Sequence, residues 1–176
     1  MSSLWPETVD GLPVVEGALV KVSNLPHFYA DDRGTLLETL REDDEHFTKF
    51  GQIYVVSNPE WSVRAYHRHL KMYDWFTIIQ GAATFVVWRE DDGYGYDPIT
   101  RTYIPSIMVQ RVTVRASVPK TITVPPGVWH GWTSIEKNTL LLSVASELYP
   151  HDGTPPDEER CAWDYLGEEC WRVQAK

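Results

Sequence analysis

Apolar positions fall in short runs along most of this chain, and within several runs apolar and polar residues alternate. Alternation sends successive side chains to opposite faces, which is the signature of a strand. Segments 19–22, 34–38, 52–57, 62–67, 75–79, 83–89, 107–114, 120–124 and 139–146 read this way. They are rich in Val, Ile, Thr, Tyr and Trp, and Gly, Pro, Asn and Asp bound them. Helical periodicity is scarce. Residues 43–50 and 163–173 are the two places where a short helix is expected. Gly81 supplies a tight turn in IIQGAATFVVW, and residues 90–103 read as a long polar loop at a rim. VPPGVWHGW reads as a sharp corner, because Pro125 and Pro126 cannot donate to a ladder. Short strands without crossover helices predict an all-β sandwich or jelly roll.

Composition sharpens this picture. A chain of 176 residues suits one domain over 1–176, with a core at about 14–150 and a C-terminal extension at 151–176. At 43% hydrophobic and 23% charged it is a globular sequence. No apolar run reaches the roughly 18 residues of a membrane span. The N-terminal stretch MSSLWPETVDGLPVVEG has no basic region leading into an apolar one, so no secretory signal is expected. Cys161 and Cys170 lack zinc-motif spacing and read as reduced thiols, which points to the cytoplasm. A net charge of −9 argues against nucleic acid as a partner. It leaves room for one small anion held by inward-facing arginines.

The chemistry concentrates in RAYHRHLKMYDWFTIIQG, residues 64–81. On a strand His67 and His69 share a face, and strict alternation turns Arg64 away unless a bulge intervenes. The spacing His-x-His-x4-Asp-x6-Gly, followed by Pro126-Gly127-x2-His130, resembles the two motifs of the cupin superfamily. In metal-binding cupins those positions supply three histidines and an acid. His67, His69, His130 and Asp74 would then suit Fe(II), Mn(II), Ni(II) or Zn(II). A second reading needs no metal, because one histidine at a barrel mouth is a general base near neutral pH. A third makes His69 a solvent-facing neighbour of Arg68 and Lys71, and His130 a structural hydrogen-bonder at its corner.

Over residues 14–164 the chain resembles one cupin branch more closely, the RmlC-like dTDP-4-dehydrorhamnose 3,5-epimerases. Asp32-Arg33-Gly34 with Glu38 is similar to that family's Asp-x-Arg-Gly-x-x-x-Glu. Phe50-Gly51-Gln52 resembles Phe-x-Gln, and Gln52 stands fifteen residues before His67, as in the family. Arg64-Ala65-Tyr66-His67 resembles Arg-Gly-x-His. Pro125 to Trp132 resembles Pro-x-Gly-x-x-His-Gly-Phe, and Ser146 to Pro150 resembles the segment with the catalytic tyrosine.

The resemblance implies a cupin jelly roll, or double-stranded β-helix barrel, with short peripheral helices. It implies epimerisation of a nucleotide-linked 4-keto-6-deoxyhexose at C3, C5 or both, with His67 as base and Tyr149 as acid. Such deoxysugars serve surface polysaccharides or secondary metabolites. Arg33, Glu38, Gln52, Arg64, His69 and His130 would bind the substrate, and no cofactor or metal is implied. The partner is a nucleoside-diphosphate sugar, and a homodimer would carry Arg33 into the neighbouring site; neither nucleic acid nor membrane is implied. Three departures stand out. His69 replaces a glutamine, Asp74 falls where the family has a lysine, and the C-terminal aspartate that pairs with the base has only Asp164 as a candidate. The related 3,4-ketoisomerases also carry His-x-His, so ketoisomerisation, a metal-dependent cupin reaction and sugar binding without catalysis stay open.

Overall fold

In the computed structural model, which describes residues 4–25 and 27–173, the alternating segments form strands. In chain order these are β1 (Thr8–Val9), β2 (Leu12–Glu16), β3 (Lys21–Asn24), β4 (Phe28–Asp31), β5 (Gly34–Leu37), β6 (Gln52–Asn58) and β7 (Val63–Arg68). There follow β8 (Asp74–Gln80), β9 (Ala82–Asp97), β10 (Thr102–Arg115), β11 (Lys120–Val124), β12 (Trp129–Ser134), β13 (Thr139–Ala145) and β14 (Glu159–Arg160). A seven-stranded sheet runs β1-β2-β10-β9-β12-β7-β14, and a five-stranded sheet runs β3-β11-β8-β13-β6. β4 and β5 form a separate hairpin. The architecture is the expected jelly roll.

The alternation explains how the sheets stack. On β9, Ala83, Phe85 and Val87 join Phe76, Ile78, Ile122 and Leu141 of the opposite sheet in one buried cluster. Their neighbours Val86 and Trp88 face the other way, into a second cluster. There Trp5 and Val9 from the N-terminal segment and Leu166, Cys170 and Trp171 from the C-terminal segment cover the outer face of the larger sheet. A strand apolar on both faces needs both faces covered, and β9 has both.

The structure corrects several local expectations. Residues 90–103 are mostly strand, with the β9–β10 ladder continuing to Thr102 opposite Asp97. The real turn is short, because Asp97 closes it: its carboxylate accepts the Ile99 N–H at 2.8 Å and the Thr100 hydroxyl at 2.8 Å, and its carbonyl accepts the Arg101 N–H at 2.8 Å. Residues 43–50 are turns without a helix. The Asp44 carboxylate takes the Arg41 N–H at 2.7 Å, so a local side-chain bond competes with helical backbone bonding. Of the expected C-terminal helix, a 3-10 turn over Glu168–Trp171 forms, and Gly167 at φ 83° breaks the chain direction before it. β12 follows the proline corner as a full strand. The described helix is far too short to cross a membrane.

Candidate active site

β7 and β12 build the site, and an irregularity between them sets its geometry. His130 pairs with His67, whereas Trp132 pairs with Arg64, so β7 carries one extra residue across this interval. The bulge that would bring Arg64 to the histidine face is therefore present, and both line one cavity. Tyr66 and Arg68 point to the opposite face. Tyr66 is buried in the outer cluster, and Arg68 lies 4.4 Å from the Trp129 ring centre. Gly131 permits the approach: a Cβ there would lie 2.2 Å from Ala65 Cβ and 2.8 Å from Ala65 Cα.

The cavity has a volume of about 170 Å³. Val56, Phe76, Trp132 and Leu141 form apolar walls, and Arg64, His67, His69, Asp74, His130, Glu158 and Tyr54 bring the polar groups. His67 Nδ1 donates to Glu158 Oε1 at 3.2 Å, which leaves Nε2 bare. Burial holds the His67 pKa below its usual value, and the nearby Glu158 carboxylate offsets this only in part, so the ring is a neutral base. Burial alone would raise the Glu158 pKa, but hydrogen bonds from Arg160 and His67 overcome it and hold the group as a carboxylate.

The other two imidazoles are oriented alike. His69 Nδ1 donates to the Asp157 carbonyl, and His130 Nδ1 donates to the Val128 carbonyl at 3.1 Å. A carbonyl only accepts, so Nδ1 carries a proton in both rings and Nε2 is the atom turned toward the cavity. Each Nε2 lies 3.7 Å from Asp74 Oδ2. Asp74 is 1% exposed, and its Oδ1 has no hydrogen-bond partner among the described residues. Burial raises the Asp74 pKa, with His69 pulling the other way, and burial pushes His130 down to about 3. Ligand atoms of His69, Asp74 and His130 all lie within 4.8 Å of one another, a set of N and O donors that fits a divalent cation. Burial, and then the Asp74 charge, raise the Tyr54 pKa, so its hydroxyl stays protonated.

The sequence-proposed residues divide. Arg64, His67, His69 and His130 meet in the cavity together with Asp74. Gln52 starts β6 on the face of Tyr54 and Val56, and its Oε1 accepts the Tyr149 N–H at 3.0 Å. Tyr149 is not among the described lining residues, and its ring sits 5.8 Å from that of His151. Asp164 lies in an exposed turn of the C-terminal segment, its carbonyl accepting the Gly167 N–H at 2.7 Å. The structure brings Glu158, not Asp164, to His67, because β14 pairs antiparallel with β7 at Arg160–His67. Arg33 is at the turn of the β4–β5 hairpin, ion-paired with Asp31 and mostly exposed. Glu38 pairs with Arg41 at 2.9 Å on the outside of the smaller sheet. Two cavity residues escaped the sequence reading. Tyr54 was signalled by its place two residues after Gln52, but Glu158 meets His67 across 91 residues and left no local signal.

No protein-family model matches the chain. It is 27% identical over 147 residues to the spore coat polysaccharide biosynthesis protein SpsL of Bacillus subtilis (strain 168), covering 82% of this chain and 89% of that one. A dTDP sugar isomerase from Desulfovibrio desulfuricans G20 superposes with a TM-score of 0.65 at 24% identity, over 90% of this chain and 89% of the other. A dTDP-4-dehydrorhamnose 3,5-epimerase from Sulfolobus tokodaii gives 0.67 at 17% identity, over 90% and 84%. The 3,4-ketoisomerase QdtA from Thermoanaerobacterium thermosaccharolyticum gives 0.60 at 17%, over 84% and 92%. The chain thus has the jelly-roll fold shared by dTDP-sugar epimerases and ketoisomerases.

Proposed function

We propose that this protein is an isomerase that epimerises a nucleotide-linked 4-keto-6-deoxyhexose at C3, C5 or both. The observation that carries the reading is His67, a neutral imidazole whose Nδ1 is fixed by Glu158 and whose bare Nε2 shares an apolar-walled cavity with Arg64. A C–H next to the C4 ketone is acidic. His67 Nε2 takes that proton, the C–H electron pair becomes a C=C bond, and the carbonyl pair moves onto oxygen as an enolate. Arg64 Nε donates to Asn58 Oδ1 at 2.9 Å, and its terminal nitrogens have no partner among the described residues, so they can face the enolate or the diphosphate. A tyrosine hydroxyl returns a proton to the opposite face and restores the ketone. Tyr54 is the tyrosine that lines the cavity, and we assign it this role in preference to Tyr149. The net change is one inverted centre with no atom gained or lost. Nucleotide-sugar chemistry also supports a cytoplasmic setting and, through the polysaccharide-biosynthesis relative, a role in making deoxysugars for a surface polymer.

The homodimer belongs to the same proposal. β6 is an edge strand whose outer side exposes Ile53 (55%) and Val55 (56%), and the β4–β5 hairpin exposes Tyr29 and Leu36. Bare apolar surface beside an unpaired edge suits a second copy, which would also bring Arg33 to the neighbouring cavity. Light scattering that finds a monomer at working concentration removes this part.

Proton NMR of dTDP-4-keto-6-deoxyglucose with the protein in D2O tests the reaction. Deuterium at C3, C5 or both is the expected result, and a 3-keto product would make the enzyme a ketoisomerase. A second reading is favoured by the His69, Asp74 and His130 donor set. A divalent cation held there would polarise a substrate oxygen. Near-stoichiometric metal in the purified protein, lost to a chelator together with activity, would favour that reading.

A further inference from the structure

The segment before β14 touches both β7-side histidines. Residues 151–156 are exposed, and the chain then lies along the rim of β7. The Asp157 carboxylate accepts the Leu70 N–H at 3.2 Å and the Lys71 N–H at 2.8 Å, which ties the segment to the turn just after His69. The carbonyl of the same residue accepts from His69 Nδ1. The next side chain, Glu158, accepts from His67 Nδ1. From there Glu159 and Arg160 pair with Arg68 and His67, and Cys161 exchanges backbone bonds with Tyr66 at 3.2 and 3.3 Å. On the other side the Gly127 N–H donates to the His69 carbonyl at 2.7 Å, so His69 is held at its backbone by Gly127 and at its ring by Asp157.

Which imidazole nitrogen carries the proton is set by the bond the ring already makes. We propose that Asp157 is a positioning residue for His69: its carboxylate fastens the segment so that its carbonyl holds His69 with Nδ1 protonated and Nε2 turned toward the cavity. Asp157 and Glu158 then act as two prongs of one clamp, presenting His69 and His67 in the same tautomer. The effect of the clamp on turnover rests on the isomerase reading, whereas the clamp itself does not.

The test uses full-length protein labelled with 15N-histidine, with Asp157→Ala and Asp157→Asn beside the wild type. Long-range 1H–15N spectra should show His69 as the Nδ1–H tautomer in the wild type and lose that state in D157A, while His67 keeps its tautomer. Misplacing a side chain of a reacting site lowers the rate, so loss of the His69 orientation should lower kcat about tenfold with little change in KM. D157N, whose amide oxygen still accepts an N–H, should recover most of this. His69 remaining in the Nδ1–H form in D157A would overturn the proposal, as would an equal kcat loss in D157A and D157N. If D157A does not fold, Asp157→Leu, which keeps the shape and removes the acceptor, carries the same readouts. The tautomer is read without substrate. Absence of turnover by the wild type therefore sinks the proposed reaction alone.

Discussion

Two hollows of similar size lie on opposite sides of the five-stranded sheet. The outer one, about 190 Å³, is bounded by Lys21, Glu38, Arg41, Glu45, His46 and Trp75. The inner one, about 170 Å³, holds His67, His69, Asp74 and His130. Volume does not separate them, but pairing does. In the outer hollow the charges satisfy each other near solvent: Lys21 with Glu45, and Arg41 with Glu38 and Asp43. In the inner hollow a buried carboxylate has one oxygen without a partner, and three imidazoles, each held at Nδ1, turn Nε2 inward. A native fold keeps such groups unpaired at a cost, and catalysis or ligand binding is the usual compensation. The lesson is to look for unmet hydrogen-bonding capacity before looking for space.

The largest expected effect tests that lesson directly. His67→Asn should lower deuterium exchange into the keto sugar by about 10²–10⁴-fold, the range of a lost general base. Exchange at the wild-type rate would make the inner hollow a binding site at most. Next comes Gly131→Ala. The added methyl meets the Cα and Cβ of Ala65 on β7, which are not the yielding end of a long side chain. Overpacking of this kind costs about 1–3 kcal/mol. A lowered Tm together with lost exchange is expected, and an unchanged Tm would mean that β12 and β7 separate freely.

The contrast between the hollows also marks how far the sequence could be read. Period-two alternation found every strand of the smaller sheet, but only β7, β9 and β10 of the larger one; β1 and β14 are too short to show a period, and β2 and β12 were hidden by prolines and a corner reading. The cavity histidines were legible because His67 and His69 are two apart on one strand and His130 sits beside Gly131. Arg64 was legible only as a conditional, since alternation cannot show an inserted residue. Asp97 closing its own turn with three bonds hid the length of the β9–β10 hairpin behind a polar composition. Glu158 was out of reach, because its partner lies 91 residues away and its acidic surroundings look like any solvated segment. Tyr149 was named by motif position, yet it is its backbone N–H that bonds to Gln52.

That last case yields a paired prediction. Tyr54→Phe should reduce epimerised product about 100-fold while exchange at the carbon served by His67 continues, because deprotonation needs no tyrosine. Tyr149→Phe should leave product formation unchanged, since its bond to Gln52 uses the main chain. The reverse result would restore Tyr149 as the acid and require the loop after β13 to close over the cavity. A smaller loss is expected for Glu158→Gln, on the order of tenfold in kcat. The amide oxygen still accepts from His67 Nδ1, but the charge that favours the protonated imidazole during turnover is gone.

The smallest effect belongs to the outer hollow and completes the contrast. Lys21→Ala breaks the ion pair with Glu45, whose side chains are 45% and 79% exposed. Exposed pairs of this kind contribute little, because water screens them and their long side chains lose freedom when held. Deuterium exchange into the sugar, measured as for His67→Asn, should stay at the wild-type rate, and Tm should not move measurably. A large loss of exchange would mean that the smaller sheet transmits a change from its outer face to its inner one. Trp75 and Phe76 are the neighbouring β8 residues through which this would pass, since Trp75 borders the outer hollow and Phe76 the inner. A Trp75→Phe variant would then separate the two cases: loss of exchange with Lys21 intact would locate the coupling in β8 itself, and normal exchange would return it to the charge at Lys21.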